Sequence, residues 1–120
     1  MQTKSQIIKA LGKSLPTHYY DQHIGRRLRK LREEHRLTQV ELAFRGCSVS
    51  DLSRIERGLQ QPSLQVVLKL CLMLDCNPRY LCWGQGSVAL LPERQRYILE
   101  FLGVKQSELQ VLLNRRRRLK

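Results

Sequence analysis

The stretch Leu37-Thr38-Gln39-Val40-Glu41-Leu42-Ala43-Phe44-Arg45-Gly46-Cys47-Ser48-Val49-Ser50-Asp51-Leu52-Ser53-Arg54-Ile55-Glu56-Arg57-Gly58 decides how this chain is read. It reads as two short helices joined by a turn at Gly46. Thr38 and Ser48 are placed to cap the two helices, because a hydroxyl oxygen accepts from a first-turn N–H. Leu42 and Ala43 face inward from the first helix, Leu52 and Ile55 from the second. Gly58 stops the second helix. A unit of this kind presents the start of its second helix to the major groove of DNA.

The flanks extend the pattern. Upstream, a helix is expected over about Gln22 to His35, with Asp21 as a candidate N-cap. Ile24, Leu28 and Leu31 form its buried stripe, and Arg26, Arg27, Arg29 and Lys30 point outward. Downstream, Ser63 is expected to cap a helix with Leu64, Val67, Leu68 and Cys71 at i, i+3, i+4, i+7. Asn77-Pro78 then starts a short helix holding Tyr80 and Leu81, because proline tolerates the first helical position. Trp83 ends that helix and is expected to pack on the core or on the C-terminal helices.

Two extensions flank this core. Residues 3–15 suit an amphipathic helix closed by Pro16, with Ile7, Leu11 and Leu15 on one face. Beyond Gly84 and Gly86, Pro92 opens a helix carrying Ile98, Phe101 and Leu102. Gly103 breaks it, and 105–118 form another helix with Leu109, Leu112 and Leu113 on one side. This pair is too small to bury its apolar faces alone, so it must pack on the main domain or on a partner. The expected division is therefore an arm and linker at 1–20, a DNA-binding domain at 21–86, and a C-terminal pair with a basic tail at 87–120. Ile98, Phe101, Leu102, Leu109, Leu112 and Leu113 are the dimerisation candidates, with the arm helix as a second candidate surface. No strand pattern or internal repeat is evident, which makes the class all-α.

Composition fits a polyanionic partner. The 120 residues carry a formal charge of +12, with a pI near 10.2. The arm contributes +3 and the tail from 103 onward +5, so most of the excess lies outside the two-helix motif. A block such as Arg115-Arg116-Arg117-Arg118 binds polyanions loosely and salt-dependently. No window holds the ~18 apolar residues of a membrane span, and Lys9 and Lys13 interrupt any leader-like run. A cytoplasmic location is expected. Cys47, Cys71, Cys76 and Cys82 lack two-residue spacing and a completing histidine, and read as buried thiols packing like small hydrophobes. No metal or cofactor is expected. No Ser/His/Asp set, paired carboxylates or phosphate loop supports an enzyme.

Residues 24–83 resemble the lambda-repressor-like helix-turn-helix family, also called the XRE family. The resemblance rests on Ile24-Gly25-Arg26-Arg27-Leu28-Arg29-Lys30-Leu31-Arg32, Leu37-Thr38-Gln39, Glu41-Leu42-Ala43, Leu52-Ser53-Arg54-Ile55-Glu56-Arg57-Gly58, Pro62-Ser63-Leu64 and Pro78-Arg79-Tyr80-Leu81. It implies a five-helix DNA-binding domain, here with an N-terminal helical arm and two added C-terminal helices. One departure is clear. Only Phe44 and Arg45 separate Ala43 from Gly46, where the family usually has three residues. A helix that simply continued would rotate the downstream residues by ~100°. An early end with a tighter turn is the alternative, and the buried turn residue is then Phe44 or Cys47.

The resemblance implies an ion pair between Arg32 and Glu56, linking the first helix to the end of the third. It also implies phosphate contacts from Gln39, with Thr38 beside it, and from Arg57 and Gln60. Ser53 lies near the DNA backbone. The positions free to face bases are Val49, Ser50, Asp51 and Arg54. Arg54 matches guanine O6/N7, Ser50 can donate or accept, and Val49 suits a thymine methyl. Asp51 repels phosphate, so it either accepts from a cytosine amino group or holds a neighbouring arginine. The function so implied is a sequence-specific double-stranded DNA-binding regulator, a repressor acting as a homodimer on a palindromic operator. Alternatives are the antitoxin of a toxin–antitoxin pair, with the C-terminal helices masking a protein partner, and an interaction adaptor that keeps the fold.

Overall fold

The computed structural model describes residues 20–119, with the backbone alone at 112, 113 and 115–119. The arm helix expected over 3–15 lies outside the described residues. Among the described residues seven helices follow one another: α1 Ile24–Glu34, α2 Gln39–Leu42, α3 Val49–Glu56, α4 Leu64–Leu74, α5 Pro78–Trp83, α6 Pro92–Leu102 and α7 Gln106–Leu119. The protein is all-α, as its periodicities require.

Local chemistry sets most of the boundaries. Thr38 and Ser48 each close a reciprocal capping box. The Thr38 hydroxyl accepts from Glu41 N–H, and Glu41 accepts from Thr38 N–H, both at 3.1 Å. The Ser48 hydroxyl accepts from Asp51 N–H at 3.1 Å, and Asp51 accepts from Ser48 N–H at 2.9 Å. Each box satisfies two donors that a helix start would otherwise leave unpaired. Ser63 and Asn77 cap α4 and α5, and Pro78 occupies the first turn of α5. Asp21 does not cap α1. Its carboxylate accepts from His23 N–H at 2.6 Å in the preceding turn, and the N-cap is His23, whose side chain makes no capping bond.

The one-residue deficit before Gly46 is absorbed by ending α2 early. Ala43 is already extended, and Phe44 and Cys47 pair through two backbone hydrogen bonds of 3.1 and 2.9 Å. Arg45 and Gly46 form the tip, with Gly46 at φ +106, a conformation that side-chain-bearing residues avoid. Cys47 is the buried turn residue. Phe44 is half-buried, packed on the core under the Lys69 ammonium at 5.7 Å.

Two clusters make up the interior. The first joins α1 through Ile24, Leu28 and Leu31, α2 through Leu42, α3 through Leu52 and Ile55, and α4 and α5 through Val67, Leu70, Leu74 and Leu81. The second gathers Leu72, Leu90, Ile98, Leu99 and Leu109, with Leu68, Leu102 and Val104 against it. Helix α4 lies between the clusters, so Leu70 to Leu74 are buried in succession while Leu64, in its first turn, is exposed. The single-sided stripe expected from Leu64 is thereby corrected. A backbone clasp ties the C-terminal pair down, with Asn77 N–H donating to Val88 O at 2.7 Å and Leu90 N–H to Asp75 O at 3.3 Å. Helix α6 packs on α4, and α7 packs on α4 and α2.

Three further expectations change. Arg27 does not point outward: its Nε donates to Leu81 O at 2.9 Å, and its Nη2 lies 3.3 Å from Asp21. That grip fastens α1 to α5. Trp83 is half exposed and tilts against Tyr20, ring centroids 6.3 Å apart. Of the dimerisation candidates, Ile98 and Leu109 are spent inside the second cluster and Leu102 is packed against it, whereas Phe101 is exposed. The side chains of Leu112 and Leu113 lie outside the described set. All four cysteines are free and buried, and burial pushes the Cys47 and Cys82 thiols up to about 11.

Candidate nucleic-acid interface

Helix α3 sits on α1 at closest approach through Gly25. A Cβ there would stand 2.1 Å from Ile55 O, so only glycine lets the two backbones meet. Leu52 and Ile55 anchor the buried side of α3. Its opposite side carries Val49, Ser50 and Arg54, all exposed, with Ser53 half-buried at the flank.

An ionic brace fixes the far end of α3. Arg32 Nε donates to Glu56 Oε2 at 2.7 Å and its Nη2 to Glu56 Oε1 at 2.9 Å, a bidentate fork. Both side chains are largely buried, at 12% and 3% exposure. Arg32 Nη1 also holds Leu37 O at 2.8 Å, so one guanidinium joins α1, the α1–α2 loop and α3. Its bond to Glu56 holds the Arg32 pKa above its ordinary value. Gln39 Nε2 donates to the same Glu56 Oε1 at 3.2 Å, which ties the start of α2 to the brace. The amide keeps a second N–H beyond that bond.

The near end of α3 is held by Asp51. Its Oδ2 accepts from Ser48 N–H and, at 3.0 Å, from Ser48 Oγ–H. Its Oδ1 accepts from Arg54 Nη2 at 2.9 Å and from Gln60 Nε2 at 3.2 Å. Arg54 Nε in turn donates to Gln60 Oε1 at 2.8 Å, closing a triangle of three side chains. The Ser48 backbone bond, then the Gln60 and Ser48 side chains, lower the Asp51 pKa to about 2. Arg57 folds back, its Nε donating to Ser53 O at 3.3 Å.

The residues singled out by sequence thus fall into two groups. Arg32, Gln39 and Glu56 share one cluster, as do Asp51, Arg54 and Gln60. Val49, Ser50, Thr38 and Arg57 stand exposed around them. Sequence reasoning missed the link between Gln60 and Asp51 and that between Gln39 and Glu56. The Ser48-x-x-Asp51 and Thr38-x-x-Glu41 spacings, which read as capping boxes, were the available signal for how the acids are held. Among the described residues, no group of three or more His, Cys, Asp or Glu is arranged to hold a metal, and no helix is long and apolar enough to cross a membrane.

Residues 28–81 match a family model described as helix-turn-helix. A search of curated proteins and a search of solved structures each return no match.

Proposed function

We propose that this chain, whose residues 28–81 match the helix-turn-helix family model, is a lambda-repressor-like DNA-binding transcription regulator, a repressor binding a palindromic operator as a homodimer. The observation that carries the reading is the way α3 is held. It is capped at Ser48, braced at Glu56 and packed through Leu52 and Ile55, so that Val49, Ser50 and Arg54 face outward on a rigid rod. A rigid scaffold with an outward polar face is what direct readout of base edges needs.

In this reading each α3 enters one major groove, with half-sites one helical turn, ~34 Å, apart. Arg54 and Ser50 read base edges, and Val49 touches a thymine methyl. Thr38, the free N–H of Gln39, Ser53 and Arg57 hold phosphates, which sets register without carrying sequence information. Repression is steric: the bound dimer occludes polymerase, in the cytoplasm of a cell whose DNA is accessible there.

The dimer seam lies on the outer face of α6. Tyr97 and Phe101, four residues apart and 63% and 64% exposed, line the same side of that helix. Selection of bound duplexes from a random pool, joined to a mass measurement of free protein, tests both parts. An enriched inverted repeat and a dimer that Phe101→Ser converts to monomer support the proposal. Absence of enrichment at moderate salt overturns specific binding, and a wild-type monomer on DNA overturns the seam.

A further inference from the structure

An aspartate on the outward half of a DNA-reading helix is out of place, because it repels the phosphates that flank the groove. Asp51 is nonetheless there, and both of its oxygens are fully engaged. We infer that Asp51 and Gln60 are positioning residues that hold Arg54 with one edge occupied and its other edge presented to a guanine. The inference rests on the reading of α3 as the groove-facing helix and assigns the base chemistry within it.

A guanidinium has five N–H donors in a planar fork. The side-on edge, Nε and Nη2, is occupied: Nε by Gln60 Oε1 at 2.8 Å and Nη2 by Asp51 Oδ1 at 2.9 Å. The end-on edge, Nη1 and the second N–H of Nη2, remains. Two parallel donors on that edge match guanine, whose major-groove edge offers two adjacent acceptors, O6 and N7. Adenine offers an acceptor beside a donor, and does not fit.

The same network defines the role of the acid. Asp51 Oδ2 is fixed by the Ser48 N–H and hydroxyl, so the carboxylate cannot swing toward a base. Its charge is spent on Arg54, three residues along the same helix. Gln60 bridges both partners from the loop beyond Gly58, which makes the orientation of Arg54 a property of helix and loop together. An arginine so oriented forfeits little rotamer freedom when it meets its base, whereas an unheld one must be ordered at that moment. The preference for guanine at one position in each half-site therefore depends on two side chains that do not touch it.

The test uses the enriched duplex, the same duplex with the Arg54-dependent guanine replaced by adenine, and a random duplex, with dissociation constants read by fluorescence anisotropy. The wild type is expected to prefer guanine by about five- to a hundredfold, the range of a bidentate base contact. Arg54→Ala is expected to erase the preference. Gln60→Ala leaves the Ser48 cap intact, and is expected to cut the preference by about two- to twelvefold, the cost of ordering one long side chain. Asp51→Asn is expected to cut the preference likewise while tightening random-duplex binding, because a negative charge is lost. Thermal melts confirm folding of each variant. Full guanine preference in Gln60→Ala overturns the inference while leaving α3 as the reading helix. A guanine preference that survives Arg54→Ala, or is absent from the wild type, overturns the reading of α3 and the inference with it.

Discussion

Gly25→Ala is the substitution that most sharply probes how α3 is seated. The added methyl would stand 2.1 Å from Ile55 O and 3.0 Å from Glu56 O, both backbone atoms of α3. A side chain could rotate away from such a contact, but a carbonyl in a hydrogen-bonded helix cannot. The helices must part by about 1 Å, and overpacking of this kind costs about 1–3 kcal/mol. The upper end applies, because the strain falls on two backbones. Alanine returns up to about 1 kcal/mol through its better helix propensity, leaving a net loss of about 2 kcal/mol. Parting α1 from α3 also stretches the Arg32–Glu56 fork at 2.7 and 2.9 Å, so DNA affinity falls beyond what the unfolded fraction accounts for. Urea titration followed by circular dichroism measures the first effect, since urea leaves ion pairs unscreened. A midpoint equal to or above that of the wild type would refute the proposed close approach.

Three further outcomes are expected. Glu56→Ala should cost about 3–5 kcal/mol by leaving the largely buried Arg32 unpaired. The double variant Arg32→Met, Glu56→Leu should recover most of that in urea melts, and additive losses would show that the two residues act separately. Leu109→Ala should cost about 2–5 kcal/mol by opening a cavity against α4. That loss should not vary with protein concentration; a dependence on concentration would place Leu109 in a subunit interface instead. Asp51 has its pKa lowered to about 2 on folding from an unfolded value near 3.8. Its contribution to stability is therefore complete above the unfolded pKa and disappears as the pH falls through about 2. Acid titration should show that contribution missing from Asp51→Asn, and superimposable wild-type and variant profiles would remove Asp51 from the network.

How far the sequence discloses this arrangement depends on where each partner lies. The stripe Ile24, Leu28, Leu31 and the caps Thr38, Ser48, Ser63 and Asn77 are local signals, and each marks its helix. The short turn is also visible, because the Ala43–Gly46 spacing is countable. Spacing does not settle whether Phe44 or Cys47 fills the core; the packing does, with Cys47 1% exposed and Phe44 only partly buried. Arg27 escapes a sequence reading because its partners, Leu81 O and Asp21, lie on a distant helix and in the preceding turn. Polarity alone sends an arginine to solvent, while a long stem with a charged tip can lie along apolar surface and reach a carbonyl. Leu64 departs from its expected burial because periodicity assumes one buried face, and α4 is covered on two sides along its second half only. The amphipathic faces of α6 and α7 are legible as apolar, but the same face fits α4 or a second chain. Only the packed structure shows Ile98 and Leu109 meeting Leu72 and Leu90. The Asp51 triangle is half legible: Ser48 to Asp51 and Asp51 to Arg54 are three-residue steps on one helix, whereas Gln60 arrives through the loop.

The outward face of α3, held by its cap and brace, is on this account the surface that meets DNA. Its most direct test is a map of backbone amide NMR shifts as the enriched duplex is titrated into the protein. The largest changes are predicted at Val49 to Arg54, with a second group at Thr38, Gln39 and Arg57, and small changes along α6. Shifts concentrated in α6 and α7, with Val49 to Arg54 unmoved, would contradict it.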